Sequence, residues 1–540
     1  MLMICVLSDP DSSAAQNAQL NYTNTDNLLL APNFRIHPSS NAQIEPVIVR
    51  HPSNPDIMFA SSYTVKLGTM FRSEGVYVTT NGGLNWFGSD SCTGLPDYYH
   101  GGDPGAIIDK NGRFILTHQG GWVLGMFSNY STDLGATWSN NYTIASDDQD
   151  KGSPGTDDVP SSAYYGRTYL VWTRYTPPYP IVVSYTTNGA VSWSAIKQIN
   201  FSVGGHQSLG ASVTVGPSGK VYVCWALAIQ SYPFTEDNIG FAVSSNGGDN
   251  WTVNETAFDC NGIKTYSLPP WGIRVNSYPG IDADESGGVR NGWIYIVTTD
   301  KNLPPSGSDP DIIFHRSTDG GLNWSGGIRV NQDALNNGKI QYFPAIRVDE
   351  DGGINIIYYD NRDITSDSMQ VYLSRSTNGG DTWNDYRISD HRFVPKPIAG
   401  AGTGNQGDNI GITSGNGKLW PVWMDDFSGI YQIWTVPIDY HLIGIKRISS
   451  EIPALYNLYQ NYPNPFNPST QIAFSVPKRE FIKIEVYNLN GQIVKTLISG
   501  ELDAGKYAIE FEGTNLSSGI YFSRMTASGY SSTKKMILLR

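Results

Sequence analysis

Four acidic side chains stand where carboxylate chemistry is feasible, each beside a proline or before a short apolar segment. They are Glu45, Asp103, Asp158 and Asp408. Two carboxyl groups that flank a sugar linkage can act as general acid and as nucleophile or base in glycoside hydrolysis. These four residues are therefore the candidate catalytic residues, provided that the fold gathers them around one pocket.

A second set of side chains suits the binding of a carbohydrate or another polar ligand. Its members lie at the ends of predicted strands or in the loops beside them: Arg174, Arg362, Asp300, Asp360, Asp425, Trp122 and Tyr278. Aromatic rings stack on apolar sugar faces, while carboxylate and guanidinium groups hold hydroxyls or acids. The alternative interpretation is that acids at strand ends cap turns or face water.

The composition predicts an all-β protein with no nucleic-acid partner. Gly (57) and Pro (31) are abundant and only 16% of residues are charged, which favours turns and strands over long helices. The net charge of −13 opposes phosphate binding, which needs clustered Lys and Arg.

No apolar stretch reaches the roughly 18 residues of a membrane helix, so no transmembrane segment is expected. We interpret residues 1–7 as the end of a truncated export signal, within a flexible segment 1–32.

An eight-residue motif recurs along the chain. It reads Thr-Thr-Asn-Gly-Gly-Leu-Asn-Trp at 79–86, and related copies occupy 131–138, 186–193, 244–251, 317–324 and 376–383. Asn or Asp tolerates the left-handed region, Gly supplies positive φ, and the Trp side chain folds back over the turn. Each copy therefore predicts a structural hairpin turn that follows an apolar strand.

Around these octets the chain repeats a unit of four short strands with alternating apolar positions. We count seven units, which start near Glu45, Asp103, Asp158, Leu209, Tyr278, Phe343 and Asp408. The last unit is one strand short, and residues 33–37 resemble the outer strands of the other units. We expect this early stretch to complete the last unit and to remove two exposed sheet edges.

The octets resemble the Asp-box, or BNR, repeat of sialidase-like β-propellers, over about residues 33 to 440. The resemblance implies a β-propeller over residues 33–448; seven blades are favoured and six, as in characterised sialidases, are the alternative. In a propeller the innermost strands start on the face that carries the loops between second and third strands. The candidate residues should then converge at one channel mouth, with the octets on the opposite face. Of the three arginines of a retaining sialidase, Arg174 and Arg362 are candidates for two.

The C-terminal part predicts a second, smaller domain. After a linker at 449–457, residues 458–540 combine a Pro/Asn run, Asn-Tyr-Pro-Asn-Pro-Phe-Asn-Pro at 461–468, with short alternating strands. This pattern is typical of a small Ig-like β-sandwich. A glycan-binding module of that fold is one interpretation.

The same segment closely resembles the type A sorting domain of the type IX (Por) secretion system. The resemblance rests on the Pro/Asn run, on Ser-Ser-Gly-Ile-Tyr-Phe at 517–522 and on Lys-Lys-Met-Ile-Leu-Leu-Arg at 534–540. It implies a Gram-negative bacterium of the Bacteroidota kind and the type IX secretion machinery as a partner. It also implies removal of the tail and a protein that is secreted or held at the outer-membrane surface.

The sequence assigns no cofactor and no metal ligands. The oxygen-rich turns at 282–288 and 349–353 could hold Ca²⁺ or simply face water, and neither has the full EF-hand pattern. The four cysteines lack metal or redox spacing, which favours buried thiols; Cys92 and Cys260 form the one candidate pair.

Two hypotheses of function follow. The first is a secreted or surface-anchored propeller that binds, and in an enzymatic version hydrolyses, an extracellular glycan or glycoprotein through its channel face. The second is a non-catalytic adhesion or cell-envelope scaffold that uses the rim for protein contacts. The sequence leaves open which of the two applies.

Overall fold

Strands dominate the computed structural model, which describes residues 23–25, 28–92, 98–365, 367–399, 401–449, 451–514 and 516–540. Within these ranges there is no α-helix, and a single 3-10 turn covers Tyr440–Leu442. No helix of this described part could cross a membrane. The export signal predicted for residues 1–7 lies outside the described residues.

Three short strands come first, and two four-stranded antiparallel sheets follow. The short strands are β1 (Thr23–Thr25), β2 (Leu28–Leu30) and β3 (Phe34–Arg35). Sheet 1 contains β4 (Ala42–Arg50), β5 (Met58–Val65), β6 (Arg72–Thr79) and β7 (Phe87–Ser89). Sheet 2 contains β8 (Gly105–Ile108), β9 (Phe114–Gln119), β10 (Met126–Ser131) and β11 (Tyr142–Ala145).

Sheets 3 and 4 repeat this arrangement and are followed by a hairpin. Sheet 3 contains β12 (Gln149–Thr156), β13 (Thr168–Arg174), β14 (Ile181–Thr186) and β15 (Lys197–Gln198). Sheet 4 contains β16 (His206–Val215), β17 (Val221–Ile229), β18 (Glu236–Ser244) and β19 (Thr252–Asp259). The hairpin consists of β20 (Thr265–Leu268) and β21 (Ile273–Val275).

Three further sheets complete this part of the chain. Sheet 5 contains β22 (Gly280–Ala283), β23 (Ile294–Asp300), β24 (Asp311–Ser317) and β25 (Ile328–Arg329). Sheet 6 contains β26 (Gln341–Val348), β27 (Ile354–Asp360), β28 (Gln370–Ser376) and β29 (Asn384–Arg387). Sheet 7 contains β30 (Gly411–Gly415), β31 (Lys418–Asp425) and β32 (Gln432–Thr435), and β33 (Ile438–Asp439) also pairs with β31.

Apolar cores join each sheet to its neighbours in a closed ring. Val171 of sheet 3 packs in one core with Val213 of sheet 4, and Ile48 of sheet 1 shares a core with Val422 of sheet 7. Comparable cores join every other neighbouring pair. Because the last sheet packs against the first, the sheets surround a channel, and the fold is the β-propeller that the sequence predicts.

The early strand β3 is the outermost strand of sheet 7. Phe34 pairs with Thr435, Arg35 pairs with Trp434, and the Ile36 amide donates a hydrogen bond to the Ile433 carbonyl at 3.0 Å. The prediction that this stretch completes the last unit is confirmed. The first and last parts of the propeller are thereby joined by main-chain hydrogen bonds, which covers the outer edge of β32.

The octets form the turns between third and fourth strands in sheets 1 to 6. In the copy at 317–324, the Gly321 amide donates to the Ser317 hydroxyl at 2.8 Å and the Asn323 amide donates to Asp319 at 3.0 Å. Trp324 packs edge-on against Phe241 of the preceding sheet, with ring centroids 5.2 Å apart. The tryptophan therefore stabilises the contact between sheets as well as the turn.

A β-sandwich follows the propeller. One sheet contains β34 (Ile445–Ser449), β35 (Asn457–Leu458), β36 (Ser469–Val476) and β39 (Gly505–Glu512). The other contains β37 (Glu480–Tyr487), β38 (Ile493–Leu502), β40 (Gly519–Ala527) and β41 (Tyr530–Leu538). Both sheets contribute to a single apolar core, which makes this region a small sandwich.

The boundary between the domains differs from the one that the sequence suggests. Ile445 pairs with Ile509 of β39 and is fully buried in the sandwich core. Strand β34 therefore belongs to the sandwich, although the predicted propeller extends to residue 448. Leu29 also packs in the sandwich core, whereas Leu28 and Leu30 pack in the propeller core of sheets 6 and 7.

Cys92 and Cys260 are buried in two different cores, so the pairing considered from the sequence does not form.

Candidate functional site at the channel mouth

The innermost strands are irregular at the same place in several sheets. Strand pairing shifts register between Ile44 and Val47, Asp150 and Ser153, Leu209 and Ser212, and Tyr342 and Ala345. Residues at these shifts, or just before the innermost strand, have positive φ: Glu45 (56°), Asp103 (51°), Lys151 (52°), Gly210 (63°) and Phe343 (53°). Bulges of this kind re-aim a side chain at the end of a strand.

Each sheet contributes one residue at this position, and we refer to the set as the mouth ring. Its members are Glu45, Asp103, Lys151, Gly210, Tyr278, Phe343 and Asp408. All of them except Glu45 line a cavity of about 290 Å³ on the axis. The predicted convergence of Asp103 and Asp408 at one opening is therefore observed, and Tyr278 lies there as well.

Charged side chains at the mouth are held in pairs. Lys151 Nζ lies 3.4 Å from Asp103 Oδ1 and donates to Asn409 Oδ1 at 2.9 Å. Arg274 binds both carboxylate oxygens of Asp408, with Nε–Oδ1 and Nη2–Oδ2 distances of 3.3 and 2.7 Å. Asp103 and Asp408 thus each have a cation beside them.

Glu45 is the one member of the mouth ring that lies behind the cavity lining, and it holds the backbone of Asp103. Its Oε2 accepts a hydrogen bond from the Asp103 amide at 3.0 Å. Burial, and after it the charges of Asp103 and Asp408, raise the pKa of Glu45 to about 8. Burial and the charge of Asp103 likewise raise the pKa of Asp150 to about 6. At pH 7 the Glu45 carboxyl group is therefore mainly protonated.

Tyr278 forms the opposite wall of the mouth. Lys264 Nζ donates to its hydroxyl at 3.0 Å and lies 5.0 Å from the ring centroid. Burial raises the pKa of Tyr278 and lowers the pKa of Lys264. The phenol is therefore neutral and presents a hydrogen-bonding hydroxyl to the cavity.

Exposed aromatic rings surround this end of the channel. Trp122, Tyr175 and Tyr232 lie in the loops between second and third strands and are 64%, 42% and 75% exposed. Tyr175 packs edge-on against Tyr179, with ring centroids 5.5 Å apart. Burial, and after it the charge of Asp150, raise the pKa of the Tyr175 hydroxyl. These rings are available to a ligand that enters the mouth.

Asp158 is at the other end of the channel, contrary to the prediction. It lies two residues beyond the end of β12, and the cations whose charges act on its carboxyl group are Arg347 and Arg50, near the far ends of β26 and β4. The reason is that β12 reads Gln-Asp-Lys-Gly-Ser-Pro-Gly-Thr and has no apolar alternation, so the sequence places the start of this unit too late. Lys151 occupies the position at the channel mouth that the sequence assigns to Asp158.

Four predicted binding residues are used elsewhere. Asp300, Asp360 and Asp425 are buried and do not line the cavity. Arg362 lies in a cluster of ion pairs, with Asp360 at 2.7 Å and Asp385 as a second partner. Arg362, Asp360 and Asp425 have structural partners, in line with the alternative interpretation from the sequence.

Arg174 lies at the mouth end of β13. It is exposed and pairs with Asp147, Nε to Oδ2, at 2.5 Å. Arg174 is thus paired with an acid of the loop before β12 and Arg362 with acids of sheet 6, and neither arginine lines the cavity.

In the two oxygen-rich turns, main-chain amides donate hydrogen bonds to the acidic side chains. Asp282 accepts from the Val348 amide at 2.7 Å, and Asp349 accepts from the Gly353 amide at 2.9 Å. Arg375 is a further partner of Asp349.

Sequence reasoning missed Lys151, Arg274, Lys264 and Asn409. The alignment of Lys151-Gly152 with Glu45-Pro46 and Phe343-Pro344 could have identified the first. The second and third lie in or beside the β20–β21 hairpin, which interrupts the repeat between sheets 4 and 5 and has no counterpart elsewhere in the ring.

Comparison with known proteins identifies the C-terminal domain. Residues 460–539 match the family model of the secretion system C-terminal sorting domain (Por_Secre_tail). The sorting domain predicted from the sequence is confirmed, and the protein is exported to the cell surface or the surroundings of a Bacteroidota bacterium. No curated protein sequence matches the chain.

Several solved structures are similar to this chain at low sequence identity. A PL25 ulvan lyase is 11% identical, with a TM-score of 0.48 over 74% of this chain and 95% of its own. The α-L-arabinanase of Penicillium chrysogenum is 12% identical, with a TM-score of 0.42 over 67% and 98%. A leech intramolecular trans-sialidase is 13% identical, with a TM-score of 0.37 over 78% and 71%.

Proposed function

We propose that this exported propeller binds an extracellular glycan at the channel mouth. The observation that carries the proposal is the cavity of about 290 Å³ lined by Asp103, Lys151, Tyr278 and Asp408, with exposed aromatic rings around it. Carboxylate, ammonium and phenol groups can bind sugar hydroxyls, and aromatic faces stack on the apolar faces of sugar rings. The secretion signal gives the protein access to such ligands.

The mixture of charges argues for a ligand rich in hydroxyl groups. Asp103 and Asp408 each lie beside a cation, so the mouth presents paired donors and acceptors instead of a field of one sign. Arg174 and Arg362 do not gather there, and the three-arginine site of a sialidase is therefore not part of the proposal.

A glycan array followed by calorimetric titration tests this binding. The wild-type chain is expected to bind at least one glycan class, and the double variant Tyr175→Ala/Tyr232→Ala to lose about tenfold in affinity or more, since each stacked ring contributes roughly 1 kcal/mol. Phe87→Ala is the matched control, because Phe87 is 47% exposed but lies in the outer strand β7. Absence of binding across the array, or equal loss in the control, would favour the protein-contact scaffold instead.

Glycoside hydrolysis at the same mouth is the second candidate function. It is favoured by the position of Asp103 and Asp408 on one cavity, with Glu45 directly behind. Two such carboxyl groups supply an acid and a nucleophile or base. Asp103→Asn and Asp408→Asn are then expected to lower kcat by about 100-fold or more while the glycan remains bound.

Release of reducing ends from the bound glycan measures this activity. Asp158→Asn is the control, because Asp158 lies at the far end of the channel and its removal should leave kcat unchanged. If the wild-type chain turns over none of the glycans that it binds, the enzymatic version is wrong and the binding function stands alone.

A further inference from the structure

Three side chains with metal-binding atoms meet at the seam between sheets 1 and 2. Glu74 lies on β6, His100 in the loop before β8, and His118 on β9. One ligand atom from each lies within 4.8 Å of the other two, and all three residues are completely buried. Two imidazoles and one carboxylate are a donor set that suits zinc and other divalent transition metals.

Glu74 has a carboxylate oxygen that the protein does not use. Its Oε1 accepts from the Gly102 amide at 3.1 Å, whereas Oε2 is buried and has no hydrogen-bond partner among the described residues. A buried carboxylate oxygen without a partner is costly. A bound cation would supply the missing partner.

His100 and His118 lie side by side in this buried cluster. Their rings are stacked, with centroids 4.4 Å apart, and His118 Nε2 lies 3.1 Å from Asn129 Oδ1. Neutral imidazole is the form of histidine that coordinates metals. His118 Nδ1 also lies 3.2 Å from the Gln119 carbonyl oxygen, so His118 gives up one of these two contacts when a ring nitrogen binds an ion.

We propose that Glu74, His100 and His118 bind a divalent transition metal ion, with zinc as the preferred ion. Three protein ligands leave one coordination position for water or another group. His100 is only three residues from Asp103, and the loop between them also bonds Glu74 through Gly102. The ion would therefore hold the segment that carries Asp103 against the first two sheets.

Metal titration of the purified full chain tests the site without any assay of glycan. After chelator treatment and dialysis, the wild-type chain is expected to bind one equivalent of Zn²⁺ by calorimetry and to give visible Co²⁺ absorption bands. Glu74→Gln and His118→Asn should lower the Zn²⁺ affinity by at least about 100-fold, beyond the 10–100-fold typical of a lost outer-shell partner. Zn²⁺ should also raise the thermal midpoint of the wild-type chain and not that of these variants.

His315→Asn is the matched control. His315 is also buried, stacks on Phe258 and bonds the Ser325 carbonyl in sheet 5, far from the cluster in sequence. This variant should keep the full equivalent of metal. The proposal is overturned if the wild-type chain binds no Zn²⁺ or Co²⁺ at micromolar concentration, or if Glu74→Gln and His118→Asn bind as the wild type does.

Discussion

His391 lies between two carboxylates beside sheet 7. Its Nδ1 is 2.7 Å from Asp390 Oδ1 and its Nε2 is 2.9 Å from Asp425 Oδ2, while its ring stacks on Phe427. Burial lowers the pKa of His391, but the hydrogen bonds to the two acids outweigh this effect and raise the pKa to about 9 from 6.5. The folded protein therefore keeps a proton that the unfolded chain releases.

This charge makes stability depend on pH in a defined window. Because the folded pKa is raised, the stabilisation by His391 is fully present below about pH 6.5 and is lost as the pH rises through about 9. We expect the free energy of unfolding of the wild-type chain to fall across this window, and His391→Asn to lack that part of the slope. Urea unfolding at a series of pH values measures it; equal slopes in both chains would contradict the assignment.

Residues at the mouth show what the sequence predicts and what it does not. Asp103 and Asp408 were identified because each stands next to the first residues of an innermost strand with a clear apolar pattern. The sequence does not identify Lys151, because its strand β12 contains glycine, serine and proline and is recognised only through its pairing with β13. Arg274 reaches Asp408 across 134 positions of sequence, a contact that no local pattern encodes.

At the scale of the element, the octet turn connects sheets. Trp383 is 6% exposed, donates from Nε1 to the Gly380 carbonyl at 3.1 Å, and packs on Phe314 of the preceding sheet at 5.2 Å. The sequence predicts the turn from Asn, Gly and Trp, and the turn is confirmed. The partner of the tryptophan was not predicted, since it lies in another repeat.

Trp383→Ala should therefore weaken the contact between sheets 5 and 6. The loss of this buried ring is expected to cost about 3–5 kcal/mol of unfolding free energy. Leu322→Ala is the control, because Leu322 occupies a neighbouring octet but is 75% exposed, and its change should stay within about 0.5 kcal/mol. Chemical denaturation measures both; a tryptophan variant as stable as the control would show that the turn and not the contact matters.

At the scale of the whole molecule, the sequence predicts the architecture better than it predicts the boundary between the two domains. The recurring strand units and octets predict the propeller, and the likeness of residues 33–37 to outer strands predicts the closure by β3. The domain boundary was placed too late because Ile445 is the only residue of β34 whose burial in the sandwich is complete. Only the three-dimensional pairing with β39 assigns that strand.

The ring also explains why the candidate site has the composition it has. Each sheet presents one residue near the mouth end of its innermost strand, so the mouth combines acid, base, aromatic and glycine from distant parts of the sequence. The sorting domain at residues 460–539 is separate from this opening in the sequence and directs the export of the protein.

A crystal structure of the full chain with the glycan that binds best on the array tests the central proposal most directly. We expect the sugar in the axial cavity, within hydrogen-bonding distance of Asp103, Lys151 or Asp408, with a ring stacked on Tyr175 or Tyr232. A sugar bound beside the octet turns or on the sandwich, with the mouth empty, would contradict it.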